Sequence, residues 1–274
     1  MKDADCVQFL QSVCPQLRMR WAGFRKVRRQ VCKRIDRRLK ELGLPSIASY
    51  SSYLSSHRGE WQVLDSLCRI SISRFCRDQR VFDFLTKTVL PELAQSALAS
   101  GQSVLHCWSA GCASGEEPYT LSILYKLGVC PQLPDRAPIG LDVVATDADP
   151  HLLQRAESGC YPASSLRDLP PSWISMAFER VGDAYSIRER FRQGVHFFRQ
   201  DIRKEMPVGP FRLILCRNLA FTYFEPALQR EVLSKMLPRL ALGGAIVIGR
   251  RESLPGEISA LEGWNPSLGV YRAR

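Results

Sequence analysis

Residues 108–119 read Trp108-Ser-Ala-Gly-Cys-Ala-Ser-Gly-Glu-Glu-Pro-Tyr119, and this stretch decides the fold. It follows an apolar run at 103–108 and opens a helical pattern over 116–127, with Gly111 and Gly115 in the turn between them. Glycine permits backbone conformations closed to other residues and lets a ligand come close to the main chain. The start of the helix also offers N–H groups without partners inside the helix. A strand, a glycine-bearing turn and a helix make the first unit of a doubly wound sheet, and that turn is where a nucleotide-like ligand lies. Taken alone, a glycine-rich turn can equally be only a turn.

Outward from this stretch the rhythm repeats. Apolar runs at 141–146, 195–198, 212–216 and 245–249 alternate with helical segments at 150–158 and 225–240. Short apolar strands separated by helices predict an α/β fold with an open, mainly parallel sheet over residues 86–274. Residues 160–193 break the rhythm with proline, aromatic and charged residues and read as a small insertion. On the other side, Phe24, Val27, Val31, Ile35, Leu39 and Leu42 recur at three- and four-residue intervals, predicting an amphipathic helix over 24–42 that Gly43 and Pro45 stop. Shorter helical stretches follow at about 46–55 and 59–69, so residues 1–85 are expected to form a small helical domain.

Composition narrows the class. The chain has 274 residues, 45% hydrophobic and 24% charged, an ordinary globular balance. Its first residues lack the basic stretch and apolar core of a secretion signal, and no run of 18 apolar residues occurs, so a soluble cytoplasmic protein without membrane insertion is expected. Ten cysteines are scattered singly with no CxxC pair, which argues against a zinc ribbon or a thioredoxin-type centre. No metal site is expected, and the cysteines are expected to be free thiols. Several, such as Cys107 and Cys216, lie in apolar runs where they behave as small hydrophobes.

Charge is distributed unevenly. Residues 1–85 hold 17 Lys and Arg against 8 Asp and Glu, a net of +9, whereas the other 189 residues hold 21 against 19, a net of +2. Nine of the basic residues crowd the predicted helix between Arg25 and Lys40, and Arg25, Arg28, Arg29, Lys33 and Arg37 are the candidates for binding a partner. A field this local points to an acidic partner, protein or nucleic acid, docking at one end of the chain.

Acidic residues sharpen the reading of the turn. Glu116 and Glu117 would repel a pyrophosphate, which argues against a dinucleotide, and they suit a cationic ligand instead. Asp147 ends the second strand in Ala145-Thr-Asp-Ala-Asp149, where a carboxylate can accept hydrogen bonds from ribose hydroxyls. Asp149, just before Pro150, is expected to cap the next helix.

Four segments then occur in order: Ser71-Ile-Ser-Arg-Phe-Cys-Arg77, the Gly111-Cys-Ala-Ser-Gly-Glu-Glu-Pro-Tyr119 turn, Ala145-Thr-Asp-Ala-Asp149 and Leu215-Cys-Arg-Asn-Leu219. Together they resemble the chemotaxis receptor methyltransferases of the CheR type, over about residues 9–254. The resemblance implies a Rossmann-like methyltransferase sheet, a small N-terminal all-helical domain and a short inserted β subdomain. It also implies S-adenosylmethionine as cofactor and methyl esterification of a glutamate on a chemoreceptor's cytoplasmic helices. By matching position, Asp147 holds the ribose and Glu117 contacts the amino-acid part of the cofactor or the neighbouring loop. Ser71, Ser73 and Arg77 match the family's Asn-x-Thr-x-x-x-Arg element in the cofactor cleft. Asp201 and Ile202 lie beside the adenine, Asn218 and Leu219 follow the fourth strand, and Tyr223 stands near the transferred methyl group. Arg77 and Tyr223 are thus the catalytic candidates, Arg77 to orient the incoming carboxylate with its planar fork.

The chain departs from the family pattern in places that touch substrate geometry. Ser71 and Ser73 replace an Asn and a Thr, Cys76 replaces a Phe, and four residues rather than three separate Asn218 from Tyr223. Arg251 stands where the family has a small residue. The acceptor that fits best is an acidic helical protein, with the chain acting as a monomer. Nucleic acid is the weaker acceptor, because residues 1–85 have few aromatics beside their Arg and Lys on which bases could stack. A non-catalytic cofactor-binding module is the remaining alternative, favoured only by the spacing before Tyr223.

Overall fold

The computed structural model describes residues 3–133 and 139–274. The chain divides into two compact units: residues 1–71 with 222–229, and residues 72–221 with 230–274.

The first unit is helical. Its elements are α1 (Asp3–Val13), α2 (Trp21–Phe24), α3 (Arg28–Glu41), α4 (Ile47–Ser56) and α5 (Glu60–Cys68). The apolar stripe foreseen in 24–42 is present, but it is shared by α2 and α3, and Val31, Ile35 and Leu39 of α3 are buried in the core of this unit. Apolar residues of α1 (Phe9, Leu10 and Val13) fill the same core with Tyr50, Leu54 and Leu64. One charged group is buried with them. Glu60 accepts two hydrogen bonds from Arg38, at 2.9 and 2.8 Å, and one from the Tyr50 hydroxyl at 2.8 Å. These bonds, Arg38 foremost, hold the Glu60 carboxyl below its ordinary range.

The expectation of free thiols is corrected here: Cys6 of α1 and Cys32 of α3 form a disulfide. Both residues lie on inward faces of helices whose pairing is tertiary, so their 26-residue separation carries no local signal. The other eight cysteines are free, and Cys130 and Cys160 are exposed rather than buried.

The second unit begins with α6 (Gln79–Phe84) and α7 (Leu90–Ala99) and then alternates strand and helix. In order come β1 (Val104–Ala110), α8 (Glu116–Leu124), β2 (Gly140–Asp147) and α9 (Pro150–Ser158). The insertion follows, as β3 (Cys160–Pro162), α10 (Ala163–Leu166), α11 (Pro171–Ala177), β4 (Phe178–Val181), β5 (Ala184–Ile187) and α12 (Glu189–Arg192). The chain closes with β6 (Val195–Arg199), β7 (Phe211–Cys216), α13 (Ala220–Tyr223), α14 (Pro226–Met236), β8 (Leu240–Ile248), β9 (Leu261–Asn265) and β10 (Val270–Ala273).

Among the described residues the main sheet has seven strands in the order β6-β2-β1-β7-β8-β10-β9. β6, β2, β1, β7 and β8 are parallel neighbours, and β10 runs antiparallel to β8 and β9. The chain winds from β1 outward through β2 to β6 and then crosses to β7 on the far side of β1. The strand order therefore reverses between β1 and β7, and ligands of open α/β sheets lie at the carboxyl ends of strands at such a point. The insertion forms a separate three-stranded antiparallel sheet in the order β3-β5-β4. No helix of the described residues is long and apolar enough to cross a membrane.

The boundary between the units falls at 71/72, not near 85 as the change of pattern predicts. The reason is packing. Phe75, Cys76, Val81, Phe82 and Leu85 are buried in the core of the α/β unit together with Leu105 and Cys107 of β1. Helical periodicity reports that a face is apolar but not which core receives it.

Candidate functional site

The turn after β1 is held in an unusual backbone path. Gly111, Ala113 and Gly115 have φ of 76°, 49° and 87°, alternating left-handed residues within five positions. Gly111 and Cys112 both donate to the carbonyl of Thr146, at 2.8 and 3.0 Å, which ties the turn to the end of β2. The glycines serve packing as much as ligand approach. A side chain at Gly111 would meet Leu219 at 2.6 Å, and one at Gly115 would meet Ala156 at 2.9 Å and the Tyr161 hydroxyl at 3.1 Å.

Asp147 closes the same corner. Its carboxylate accepts from the backbone N–H of Ala113 and of Asp149, both at 2.9 Å, so it fixes the β1 turn and the start of α9 together. Asp149 caps α9 by accepting from the N–H of His151 at 2.9 Å, as the sequence predicts. The two aspartates two residues apart have separate jobs because only one of them faces the turn.

Glu116 and Glu117 also part company. Glu116 is 3% exposed, one of its carboxylate oxygens has no partner among the described residues, and burial raises its pKa against weaker opposing hydrogen bonds from the backbone and from Ser73. Glu117 accepts from the Ser109 hydroxyl at 2.8 Å and from Arg217 at 3.1 Å. Glu117 is thus bound to two side chains, one of them a guanidinium, where Glu116 is buried with an oxygen left over.

Arg217, immediately after β7, is the residue that sequence reasoning missed. Its side chain is 2% exposed and forms ion pairs with Asp78 at 2.9 Å and Glu117 at 3.1 Å. It also donates to the carbonyl of Arg77 at 2.8 Å and lies 4.8 Å from the ring centre of Phe82. Asp78 and Glu117 are thus paired by Arg217 and not by Arg77. Arg77 itself is half-buried and donates to the carbonyl of Ile72 at 2.7 Å. A charged residue ending an apolar strand in Leu215-Cys-Arg-Asn was the available signal.

The remaining candidates are dispersed. The Asp201 carboxylate accepts from the Arg203 guanidinium at 2.9 and 2.6 Å, and Ile202 is buried beside it. Asn218 takes a left-handed φ of 55° and donates its N–H to Glu252 at 2.9 Å, a second contact the sequence did not reveal. Ser71 and Tyr223 belong to the helical unit. There Arg34 donates to the Ser71 hydroxyl at 3.4 Å, and the Tyr223 ring packs against Phe24 with centroids 5.3 Å apart. Among the partner candidates, Arg28 is tied to Asp3 at 3.0 Å, whereas Arg25, Arg29, Lys33 and Arg37 are exposed and join no ion pair among the described residues. Arg29, Lys33 and Arg37 are spaced by four residues and form one row along α3. No group of histidine, cysteine, aspartate or glutamate among the described residues could hold a metal ion.

Fold and corner together define a class, a doubly wound α/β protein whose β1 turn is bound by the carboxylates of Asp147 and Glu117, with no Lys or Arg on the 109–117 turn. Residues 71–265 match the family described as CheR methyltransferase, SAM binding domain. The chain is 33% identical over 189 residues to the chemotaxis protein methyltransferase of Listeria monocytogenes, covering 69% of this chain and 68% of that protein. It is 31% identical over 237 residues to the chemotaxis protein methyltransferase of Escherichia coli, covering 82% and 77%. A third relative is an uncharacterised 104.1 kDa protein from the hypE 3′ region of Rhodobacter capsulatus, 32% identical over 230 residues that cover 82% of this chain and 23% of that protein. The chain therefore spans less than a quarter of that relative's length. This chain belongs to the CheR methyltransferase family, and its cofactor is S-adenosylmethionine.

Proposed function

We propose that the chain transfers a methyl group from S-adenosylmethionine to a glutamate side-chain carboxylate of an acidic helical protein, such as the cytoplasmic domain of a chemoreceptor, and that it acts in the cytoplasm as a monomer. The observation that carries the acceptor class is the exposed row of Arg29, Lys33 and Arg37 with Arg25, cations that the fold leaves available to an acidic surface. Two relatives named chemotaxis protein methyltransferases support the same reading.

When bound, the cofactor supplies an electrophilic methyl group on a sulfonium centre. Asp147 would accept from the ribose hydroxyls, and Glu117 would face the amino-acid part. Asp201 and Ile202 would lie beside the adenine, and Ser73, Asn218 and Leu219 would contact the cofactor with the Gly111–Gly115 turn. An acceptor glutamate is already ionised near pH 7, since its reference pKa is about 4.3, so the chain needs no strong general base. Arg77 orients the acceptor through its planar guanidinium. Alignment of this kind is worth roughly 7–11 kcal/mol in well-oriented systems.

The test is transfer of labelled methyl groups from S-adenosylmethionine to a cell extract. Base-labile label on protein is expected, because esters hydrolyse in alkali. Base-stable label on protein, or label on nucleic acid, would overturn the assignment.

A further inference from the structure

The segment that carries Arg77 is held in a conformation its own residues disfavour. Cys76 and Asp78, on either side of Arg77, have φ of 51° and 64°. Non-glycine residues keep the left-handed region only where the surroundings over-determine it. Three contacts do so here. Phe75 donates its N–H to the carbonyl of Ser165 at 3.0 Å, and Cys76 donates its N–H to the Thr120 hydroxyl at 3.1 Å. The third contact is Arg217, which grips the Arg77 carbonyl and the Asp78 carboxylate with one nitrogen and Glu117 with the other.

We propose that Arg217 is a positioning residue for methyl transfer, a buried guanidinium that locks the Arg77 turn and the Glu117 carboxylate into one unit. The inference rests on the methyltransferase reading above and adds to it a residue that touches neither methyl donor nor acceptor. Stability alone does not account for Arg217. Buried ionic groups can often be replaced by apolar ones of similar size at no loss, so such a group is weak evidence of a role in folding. Its Nε has no partner among the described residues, a further cost the fold accepts. What the guanidinium alone provides is geometry. Its planar fork reaches two carboxylates and a carbonyl on two segments at once, where a lysine ammonium acts as a point charge.

The experiment compares the wild type, Arg217→Lys, Arg77→Ala and the double variant, each measured for S-adenosylmethionine affinity by calorimetry, for single-turnover methyl transfer and for thermal midpoint. If Arg217 acts through Arg77, Arg217→Lys slows transfer about tenfold or more in the wild type but adds less than about threefold in the Arg77→Ala background, the signature of coupled residues. Cofactor affinity and thermal midpoint change far less than transfer. Losses that multiply in the double variant, or a wild-type rate in Arg217→Lys, overturn the proposal. Should Arg217→Lys fail to fold, Asp78→Asn decides, because asparagine tolerates the left-handed backbone while losing the charge that Arg217 holds. It is expected to slow transfer and to add little to Arg77→Ala; a wild-type rate overturns the proposal. A wild type that binds cofactor but methylates nothing defeats the methyltransferase reading itself, and this inference with it.

Discussion

The two units use arginine in opposite ways. In the α/β unit, Arg217 is buried, paired with two carboxylates and fixed in place. On α3 of the helical unit, Arg29, Lys33 and Arg37 stand in solvent, outside every ion pair among the described residues. A buried charge is costly unless its hydrogen bonds are satisfied, and once satisfied it holds its neighbours in one geometry. An exposed charge costs little, is screened by salt and acts over a distance on whatever approaches. The difference teaches that, under the proposed function, fixed charge serves positioning and free charge serves encounter. α3 itself contains both kinds, since Arg38 turns inward to Glu60 while Arg37, one residue away, faces water.

The sharpest way to break this division is at Asp147, whose carboxylate joins the β1 turn to α9. Asp147→Ala removes two charge-assisted hydrogen bonds to backbone N–H groups, each worth about 1.5–3 kcal/mol. Cofactor affinity is expected to fall about 100-fold, close to 3 kcal/mol, while binding of an acidic partner to α3 stays unchanged. Calorimetry with S-adenosylmethionine and with the partner checks both halves. A loss in both would mean that the two functions share a structural element.

Next in size is Glu60→Gln, which tests whether the inward half of α3 is structural. Glu60 is 5% exposed and its pKa is depressed chiefly by Arg38. A carboxyl depressed in the folded state contributes stability above its unfolded pKa and loses it as pH falls through the folded value. Glu60→Gln should therefore lower the thermal midpoint of the helical unit at pH 7 by an amount corresponding to about 2 kcal/mol, the range of a hydrogen bond to a charged group, with the gap to wild type closing in acid. A pH-independent gap would point to lost packing instead of lost charge.

The encounter side gives a smaller effect. Reversing Arg29, Lys33 and Arg37 to glutamate is expected to weaken binding of an acidic helical partner about tenfold at low salt, with the difference shrinking as ionic strength rises. Cofactor affinity and thermal stability should not move. Partner binding that ignores the reversal would remove α3 from the docking surface.

How much of this could be read from the sequence follows from the range of the interactions. The strands of the α/β unit were legible because both faces of a parallel strand are buried and leave short apolar runs. The start of α9 was legible because Asp149 and Pro150 act within two residues of one another. The Cys6–Cys32 bond, the Arg217 network and the Asn218–Glu252 contact join residues far apart in sequence, and spacing says nothing of them. The region around α6 and α7, strands β9 and β10 and the positions of the individual strands in the expected β insertion also escaped, being short or shaped by partners elsewhere in the chain. Glu116 and Glu117 show the limit at its narrowest. They are adjacent and identical in type, yet a 100° step around the helix sends one inward and leaves the other facing Arg217.

That step makes the smallest prediction the most specific. Burial raises the Glu116 pKa, the opposite sign from Glu60. A carboxyl raised in the folded state contributes stability that is fully present below its unfolded pKa and is lost as pH climbs through the folded value. Glu116→Gln keeps the shape and the hydrogen-bonding capacity but cannot ionise. It should match wild type near pH 4 and become the more stable protein at pH 7–8, by about 1 kcal/mol or less, roughly 2–4 °C in a domain of this size. The counterpart, Glu117→Gln, removes a charge that Arg217 holds and should be destabilising or neutral over the same range while weakening cofactor affinity. Thermal midpoints of both variants across pH, beside calorimetry, separate the two glutamates. If Glu116→Gln weakens cofactor binding as much as Glu117→Gln does, the buried carboxyl belongs to the binding surface and the assignment of cofactor contact to Glu117 rather than Glu116 fails.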